Sequence, residues 1–96
     1  MAEKCTLTLF DTGFVVRTPG ALLALIDAQV SETSLVERHQ AGDFGELCEE
    51  DRTANERSIE RGGRVFSSYV VAPDTKVWVI TEADRSVTTL LLPSEY

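Results

Sequence analysis

The chain is poor in the residues that build metal sites, disulfide frameworks and nucleic-acid interfaces. Its 96 residues include two cysteines, one histidine and three prolines, and only nine lysines and arginines stand against sixteen acids. So few sulfur and imidazole ligands, without recognisable spacing, predict neither a metal site nor a bound cofactor. A net charge of −7 opposes direct binding to nucleic-acid phosphates and to anionic membranes. The composition therefore argues against metal-binding, nucleic-acid-binding and membrane-binding functions.

Long apolar runs are also missing. No run approaches the ~20 residues that a transmembrane helix needs, and the opening Met-Ala-Glu-Lys lacks the apolar stretch of an export signal. We therefore expect a cytoplasmic location, in which Cys5 and Cys48 are free thiols. With 43% hydrophobic residues, the chain can form one core, so residues 1–96 are expected to be a single domain.

The N-terminal residues alternate polar and apolar side chains, as a strand does. Residues 5–10 alternate in this way, Asp11-Thr12-Gly13 is typical of a turn, and residues 14–17 are apolar again. This pattern predicts an N-terminal β-hairpin.

Three helices are expected to follow. Thr18-Pro19 is a helix start, and a first helix over about residues 19–29 is predicted to bury a stripe of Leu22, Leu23, Ile26 and Val30.

A second, short helix can be capped by Ser31 or Ser34, and Gly42 ends it. Leu35, Val36 and His39 are expected to share one of its faces.

A third helix over about residues 48–61 ends at Gly62-Gly63. Its apolar side is thin, consisting of Leu47, Ala54 and Ile59, so we expect this helix on the surface.

The remainder of the chain has the two-residue period of strands. Segments 64–72, 76–81 and 87–92 are rich in β-branched and aromatic residues and are separated by turn sequences. The order of elements predicts an α+β fold: an N-terminal β-hairpin, three helices and a three-stranded antiparallel meander, with the helices packed on one face of the sheet.

Negative charge is the most concentrated feature. Nine of the sixteen acids lie in residues 31–61 against four arginines, which leaves a net charge of −5 there. Helical spacing places three of the acids on one side of the third helix, and two more precede it in the loop. The candidate partner-binding residues are Asp43, Glu46, Glu49, Glu56 and Glu60. Carboxylates spaced in this way can imitate a phosphate backbone and bind a basic protein surface.

The same acids also have a structural interpretation. Glu49, Glu50 and Asp51 would lie in the first turn of the helix, where negative charge is stabilising. Arg52 is four residues before Glu56, which allows a local surface contact. Both interpretations remain open from the sequence.

Other polar groups are less suggestive. Asp43-Phe44-Gly45 matches the magnesium-binding triplet of protein kinases, but the other kinase motifs are missing and the chain is far too short. His39 is expected to be a helix-face residue, although a nucleophile pair with Cys48 is conceivable.

Glu82, Asp84 and Arg85 share one loop. We expect Asp84 to bond backbone amides there and Arg85 to pair with a carboxylate. Trp78 and Ile80 are expected in the core. If their face of the sheet is open instead, Trp78 is the natural anchor of an interface.

Residues 42–93 contain several segments with a familiar combination of residues. They include Gly42-Asp43-Phe44-Gly45-Glu46-Leu47, Gly62-Gly63-Arg64-Val65-Phe66 and the run from Val77-Trp78-Val79-Ile80-Thr81-Glu82-Ala83-Asp84-Arg85 to Leu90-Leu91-Leu92-Pro93. These segments resemble a family of small bacterial proteins often carried on plasmids and phages. The resemblance implies a role in counter-defence, similar to anti-CRISPR (type I) or anti-restriction proteins, inside the host bacterial cell.

Two binding hypotheses follow, together with a weaker enzymatic one. In the first, a monomeric, non-enzymatic inhibitor presents its acidic helix to the basic nucleic-acid-binding surface of a CRISPR effector or restriction complex. In the second, an accessory or regulatory module binds a protein through a sheet edge or through an apolar patch at Trp78 or Tyr69. The third would use Glu82, Asp84 and Arg85, or His39, as catalytic groups.

Overall fold

The computed structural model describes residues 8–96, which form an α+β domain. Three helices lie between the first strand and the other three strands of a four-stranded sheet, and a short 3₁₀ turn ends the described chain. In chain order the elements are β1 (Phe14–Arg17), α1 (Pro19–Ala28), α2 (Glu32–Gln40), α3 (Glu49–Arg61), β2 (Val65–Ala72), β3 (Thr75–Thr81), β4 (Val87–Leu91) and the 3₁₀ turn (Pro93–Glu95).

The sheet is mixed, with the strand order β1-β4-β3-β2. β2, β3 and β4 form the predicted antiparallel meander, in which Ser68 lies opposite Trp78 and Trp78 opposite Leu91. β1 is added parallel to β4, with Phe14 opposite Val87. The first and the last strands of the described chain are therefore neighbours.

The predicted N-terminal hairpin is wrong in the part that can be described. Residues 8–10 form no strand, and residues 5–7 lie outside the described part of the chain. The Leu9 N–H donates to the Gln40 carbonyl oxygen at 2.8 Å, and the Gln40 side chain donates to the Phe10 carbonyl oxygen at 2.9 Å. Phe10 is buried against Phe44 and Val65. This burial holds the segment at the end of α2, away from the outer edge of β1.

α1 has the predicted length but buries a different side. Thr18 caps the helix, accepting a hydrogen bond from the Ala21 N–H. Ala21 and Leu25 face the sheet, whereas Leu22, Leu23 and Ile26, predicted to be buried, are 42%, 63% and 60% exposed. Val30 is partly buried, as expected. Apolar residues occur on all sides of α1, so the apolar pattern alone does not decide which side is buried. The small Ala21 side chain lets the helix approach the sheet closely, and the larger apolar side chains point outward.

α2 forms as predicted. Ser31 is the N-cap of α2, and Leu35 and His39 lie on its buried side. Leu35 joins Tyr69, Val77, Val79 and other side chains in a cluster between α1, α2 and one face of the sheet. We call this side of the sheet the helix face.

α3 lies along the outer edge of β2. The helix is preceded by Cys48 and ends at Gly62, whose φ of 87° is the left-handed cap that glycine favours. Ala54, predicted to pack, is exposed, and the neighbouring Asn55 is buried instead. Its side-chain amide bonds both the N–H and the carbonyl oxygen of Phe66. A polar side chain therefore holds this helix on the sheet, which the apolar pattern did not indicate.

The opposite side of the sheet, which we call the open face, carries no helix of the main core. Its strand residues are Phe14, Val16, Phe66, Ser68, Val70, Lys76, Trp78, Ile80, Val87, Thr89 and Leu91. Trp78, expected in the core, is half-buried on this face, while Ile80 is almost fully buried. No helix among residues 8–96 is long and apolar enough to cross a bilayer.

Candidate functional site

The acidic residues singled out by the sequence differ in their surroundings. Glu46, Glu49, Glu56 and Glu60 are exposed, and among residues 8–96 their carboxylates have no ion-pair partner. Glu49, Glu56 and Glu60 lie along one side of α3, as predicted. The anticipated contact of Arg52 with Glu56 does not form, because Arg52 donates instead to the Gly45 carbonyl oxygen at 3.2 Å.

Asp43, the fifth candidate residue, is part of the fold. Its carboxylate accepts a hydrogen bond from Arg38 at 2.7 Å, and its backbone carbonyl accepts one from the Tyr69 hydroxyl at 2.6 Å. The Arg38 guanidinium, helped by the Gly45 N–H and by Arg52, holds the pKa of Asp43 below its ordinary value. A carboxylate neutralised in this way contributes little to an acidic binding surface.

Tyr69 is likewise unavailable to a partner. It is 1% exposed on the helix face, and burial raises the pKa of its hydroxyl to about 12. Of the two aromatic anchors proposed from the sequence, only Trp78 reaches the surface.

His39 belongs to a buried chain of polar side chains. Its Nδ1 lies 2.6 Å from the Ser67 hydroxyl, and its Nε2 lies 2.9 Å from the Thr81 hydroxyl. Thr81 in turn contacts the Thr88 hydroxyl, which donates to the Thr12 carbonyl oxygen. The ring is fully buried, so it cannot meet a substrate, and Cys48 lies apart from it, exposed at the start of α3. This network could not be predicted from sequence spacing, because its five members come from five separate segments.

The loop between β3 and β4 is a structural brace. Asp84 accepts hydrogen bonds from the N–H and the hydroxyl of Ser86, as predicted. Arg85 was expected to pair with a carboxylate, but it donates to the backbone carbonyl oxygens of Ser58 and Gly63 at 3.0 and 2.6 Å. It thereby ties the end of α3 to the loop, a favourable position for a cation.

The Asp-Phe-Gly triplet also has a structural role. Phe44 is a buried core residue, and the Phe44 carbonyl and the Glu46 N–H bond the backbone of Ser68 on the outer edge of β2. Residues 8–96 contain no cluster of three or more His, Cys, Asp or Glu side chains suited to a metal ion.

The open face contains an aromatic slot whose residues were not predicted to lie together. Phe66 and Trp78 pack edge to face with ring centroids 5.1 Å apart, and Tyr96 packs on Trp78 at 5.7 Å. Ile80 forms the floor and Arg64 the rim of a cavity of about 300 Å³. Arg64 donates to the Tyr96 hydroxyl at 2.9 Å, and Glu82 is only loosely paired with it at 3.8 Å.

One sequence signal did point to this slot. The run Val77-Trp78-Val79-Ile80 is apolar at every position, whereas a strand with one solvent-exposed face alternates apolar and polar residues. This run indicates that both faces of β3 are apolar. The contact between the rim residues Arg64 and Tyr96 could not be predicted, because they are far apart in the chain.

Comparisons with family models, with curated proteins and with solved structures find no match to this chain.

Proposed function

We propose that this chain is a protein-binding module that acts by covering part of a partner protein rather than by catalysis. The observation that carries this proposal is the partly exposed Trp78 in an apolar slot on a sheet face that the helices leave uncovered. Exposed aromatic patches of this kind are typical of protein interfaces. Two of the polar groups that could have supported catalysis are engaged inside the fold: His39 is buried, and Arg85 bonds backbone carbonyl oxygens.

The chemistry of the slot indicates what it binds. Its walls are the rings of Phe66, Trp78 and Tyr96, and its rim carries the half-exposed Arg64 guanidinium. Lys76 adds a second cation to the open face, whereas none of the strand residues on that face is acidic. On a chain of net charge −7 the strand residues of this face thus carry a positive charge, although Glu82 at the rim pairs with Arg64 at 3.8 Å. The partner segment that fits is an apolar or aromatic side chain beside a carboxylate.

A peptide library tests this specificity directly. Selection on the immobilised protein should enrich peptides with an aromatic or large aliphatic residue next to Asp or Glu. Binding of a selected peptide should change the fluorescence of Trp78, the only tryptophan in the chain. Trp78→Ala should abolish binding, and Arg64→Gln should weaken it about tenfold by removing a charge-assisted hydrogen bond.

The matched control is Leu23→Ser, which removes an exposed apolar side chain from α1 on the other side of the molecule. It should leave peptide binding unchanged. Selection of peptides without this chemistry, or binding that survives Trp78→Ala, would contradict the assignment.

A second candidate function rests on the acidic side of α3. Glu49, Glu56 and Glu60 are exposed along one side of the helix and are not neutralised by the described residues. This arrangement supports the inhibitor expected from the family resemblance, which would bind the basic groove of a CRISPR effector or restriction complex.

The two candidates differ in their response to salt and to charge reversal. An acidic interface weakens as the salt concentration rises, whereas the apolar slot is far less sensitive. Inhibition of DNA cleavage by a type I CRISPR complex should be lost when Glu49, Glu56 and Glu60 are all changed to Lys, and should persist in Trp78→Ala. The opposite result would assign the inhibition to the open face.

A further inference from the structure

We infer that the outer edge of β1 is a dimerisation edge, which pairs antiparallel with β1 of a second copy of this chain. A monomer is expected from the sequence, and a dimer of this kind lies beyond the proposed function because it needs neither the slot nor the acidic helix.

The two edges of the sheet are treated differently by the fold. On β2, the Asn55 side chain bonds both main-chain groups of Phe66, and the Phe44–Glu46 segment bonds both main-chain groups of Ser68. That edge is closed to another strand. β1 has no such cover among residues 8–96: the N–H groups of Phe14 and Thr18 bond the β4 side, so by alternation those of Val15 and Arg17 point outward.

The features that normally protect an edge are weak at β1. A charged side chain often blocks strand pairing, but the Arg17 guanidinium is held by both oxygens of Glu32 at 2.5 and 2.6 Å. On the open face, Phe14 is 81% exposed and Val16 is 43% exposed. An unpaired edge flanked by exposed apolar side chains is a template for a further strand.

The sequence of β1 is complementary to itself in one antiparallel register. With Val15 opposite Val15 of the second copy, the outward N–H and carbonyl groups of the two Val15 residues bond each other, and each Arg17 lies opposite Gly13 at the start of the other strand. Phe14 then lies opposite Val16 twice, an aromatic pair with a β-branched residue that stabilises antiparallel strands. The register also avoids like charges, since Arg17 faces glycine rather than another Arg17.

The neighbouring elements allow this approach. α1 packs over β2, β3 and β4, and Val15 is the β1 residue that joins its core. The described residues before β1 are held on the core side, because Leu9 is bonded to Gln40 at the end of α2 and Phe10 is buried beside Phe44. The chain therefore leads into β1 from the core side and not along its outer edge.

Sedimentation velocity of the full chain over a wide concentration range tests the inference. Two four-residue strands form a small interface, so the wild type should show a concentration-dependent monomer–dimer equilibrium in the micromolar to millimolar range. Phe14→Ser and Val15→Pro should each raise the dissociation constant by about tenfold or more. Proline at this position removes an outward N–H but none of the bonds between β1 and β4.

Val70→Ser is the matched control, since it removes a 51% exposed apolar side chain from the same face, at the opposite edge. It should leave the dissociation constant unchanged. Amide hydrogen exchange gives an independent measurement: protection of the Val15 and Arg17 amides should rise with protein concentration, and circular dichroism should confirm that each variant is folded.

Two outcomes would overturn the inference. A wild type that stays monomeric at every concentration contradicts it outright. A dimer that forms only after deletion of residues 1–7 would show that the chain's own N-terminus occupies the edge.

Discussion

The side-chain amide of Asn55 forms two hydrogen bonds with the main chain of Phe66. Its Nδ2 donates to the Phe66 carbonyl oxygen at 2.6 Å, and its Oδ1 accepts from the Phe66 N–H at 3.0 Å. A neighbouring strand would make the same pair of bonds, so one side chain from α3 substitutes for a strand and closes the sheet.

Removing this amide should destabilise the domain. Asn55→Ala leaves two main-chain groups of a largely buried strand without partners, and we expect a loss of about 2 kcal/mol in the free energy of unfolding. Urea denaturation measures the loss. The adjacent exposed position supplies the control: Ala54→Ser should change stability by no more than about 0.5 kcal/mol. Equal stability of the two variants would show that the Asn55 bonds contribute nothing.

The second prediction concerns stability in weak acid. Burial, together with the nearby Arg85, lowers the pKa of His39 to about 3, whereas the ring titrates near 6.5 in the unfolded chain. Between these values the unfolded state binds a proton that the folded state does not. The stability contributed by the neutral ring is therefore complete above the unfolded pKa and decreases as the pH falls from 6.5 toward 3.

Two measurements check this prediction. The free energy of unfolding should fall between pH 7 and pH 5 with a slope that approaches, at most, about 1.4 kcal/mol per pH unit. Because His39 is the only histidine, its NMR signals are unambiguous, and they should not titrate near pH 6.5 in the folded protein. A ring that titrates normally would contradict the burial.

Arg85 allows a prediction that separates a side-chain effect from a backbone effect. The residue has a φ of 62°, in the left-handed region, and its guanidinium bonds the carbonyl oxygens of Ser58 and Gly63. Arg85→Ala loses the brace and keeps the unfavourable φ, whereas Arg85→Gly loses the brace but relieves the φ. Both should be less stable than the wild type, with the glycine variant more stable than the alanine variant by about 1 kcal/mol. Thermal denaturation measures the order, and a reversed order of the two variants would show that the φ at this position has no cost.

The fourth prediction concerns the C-terminal turn. The Glu95 carboxylate accepts hydrogen bonds from the Thr18 hydroxyl and from the N–H groups of Leu92 and Gly20, at 2.9 and 3.2 Å for the two amides. The Thr18 hydroxyl and then the Leu92 N–H lower the pKa of Glu95. Loss of these bonds should free Tyr96 from the Trp78 ring.

Tryptophan fluorescence reports this release. Glu95→Gln should shift the emission of Trp78 to longer wavelength, as the ring becomes more exposed to water. Acid should do the same in the wild type, because a lowered folded pKa means that the contribution of the carboxylate is lost as the pH falls through that value. Ser94→Ala, an exposed neighbour, serves as the control. Unchanged emission in Glu95→Gln would show that Tyr96 is held by its ring contacts alone.

Elements with their own start and stop residues could be predicted from the sequence. Thr18-Pro19 begins α1, Gly62 ends α3, and Pro73-Asp74 turns β2 into β3, all where expected. These signals are local, so they need no knowledge of what packs where. The family resemblance and the location of the chain in the cell stay predictions.

Features that depend on distant residues could not be predicted in this way. The buried side of α1 is decided by the fit of Ala21 and Leu25 to the sheet, because apolar residues on all sides leave the pattern ambiguous. The partner of β1 is decided by the burial of Phe10, which turns the preceding segment away. The candidate sites were predictable to different degrees. The exposure of Glu49 on α3 follows from helical spacing, whereas the contact of Arg64 with Tyr96 joins separate elements and could not be predicted.

The parallel pairing of β1 with β4 has a consequence for the order of folding. β2, β3 and β4 are consecutive and joined by short loops, so the meander can form from contacts close in the chain. Phe14 pairs with Val87, and their contact closes a loop that contains all three helices and most of the sheet. The entropic cost of closing that loop is met only once the enclosed elements are already compact. We therefore expect β1 to join last on folding and to detach first on unfolding, so that substitutions in β1 change the unfolding rate and leave the folding rate nearly unaltered.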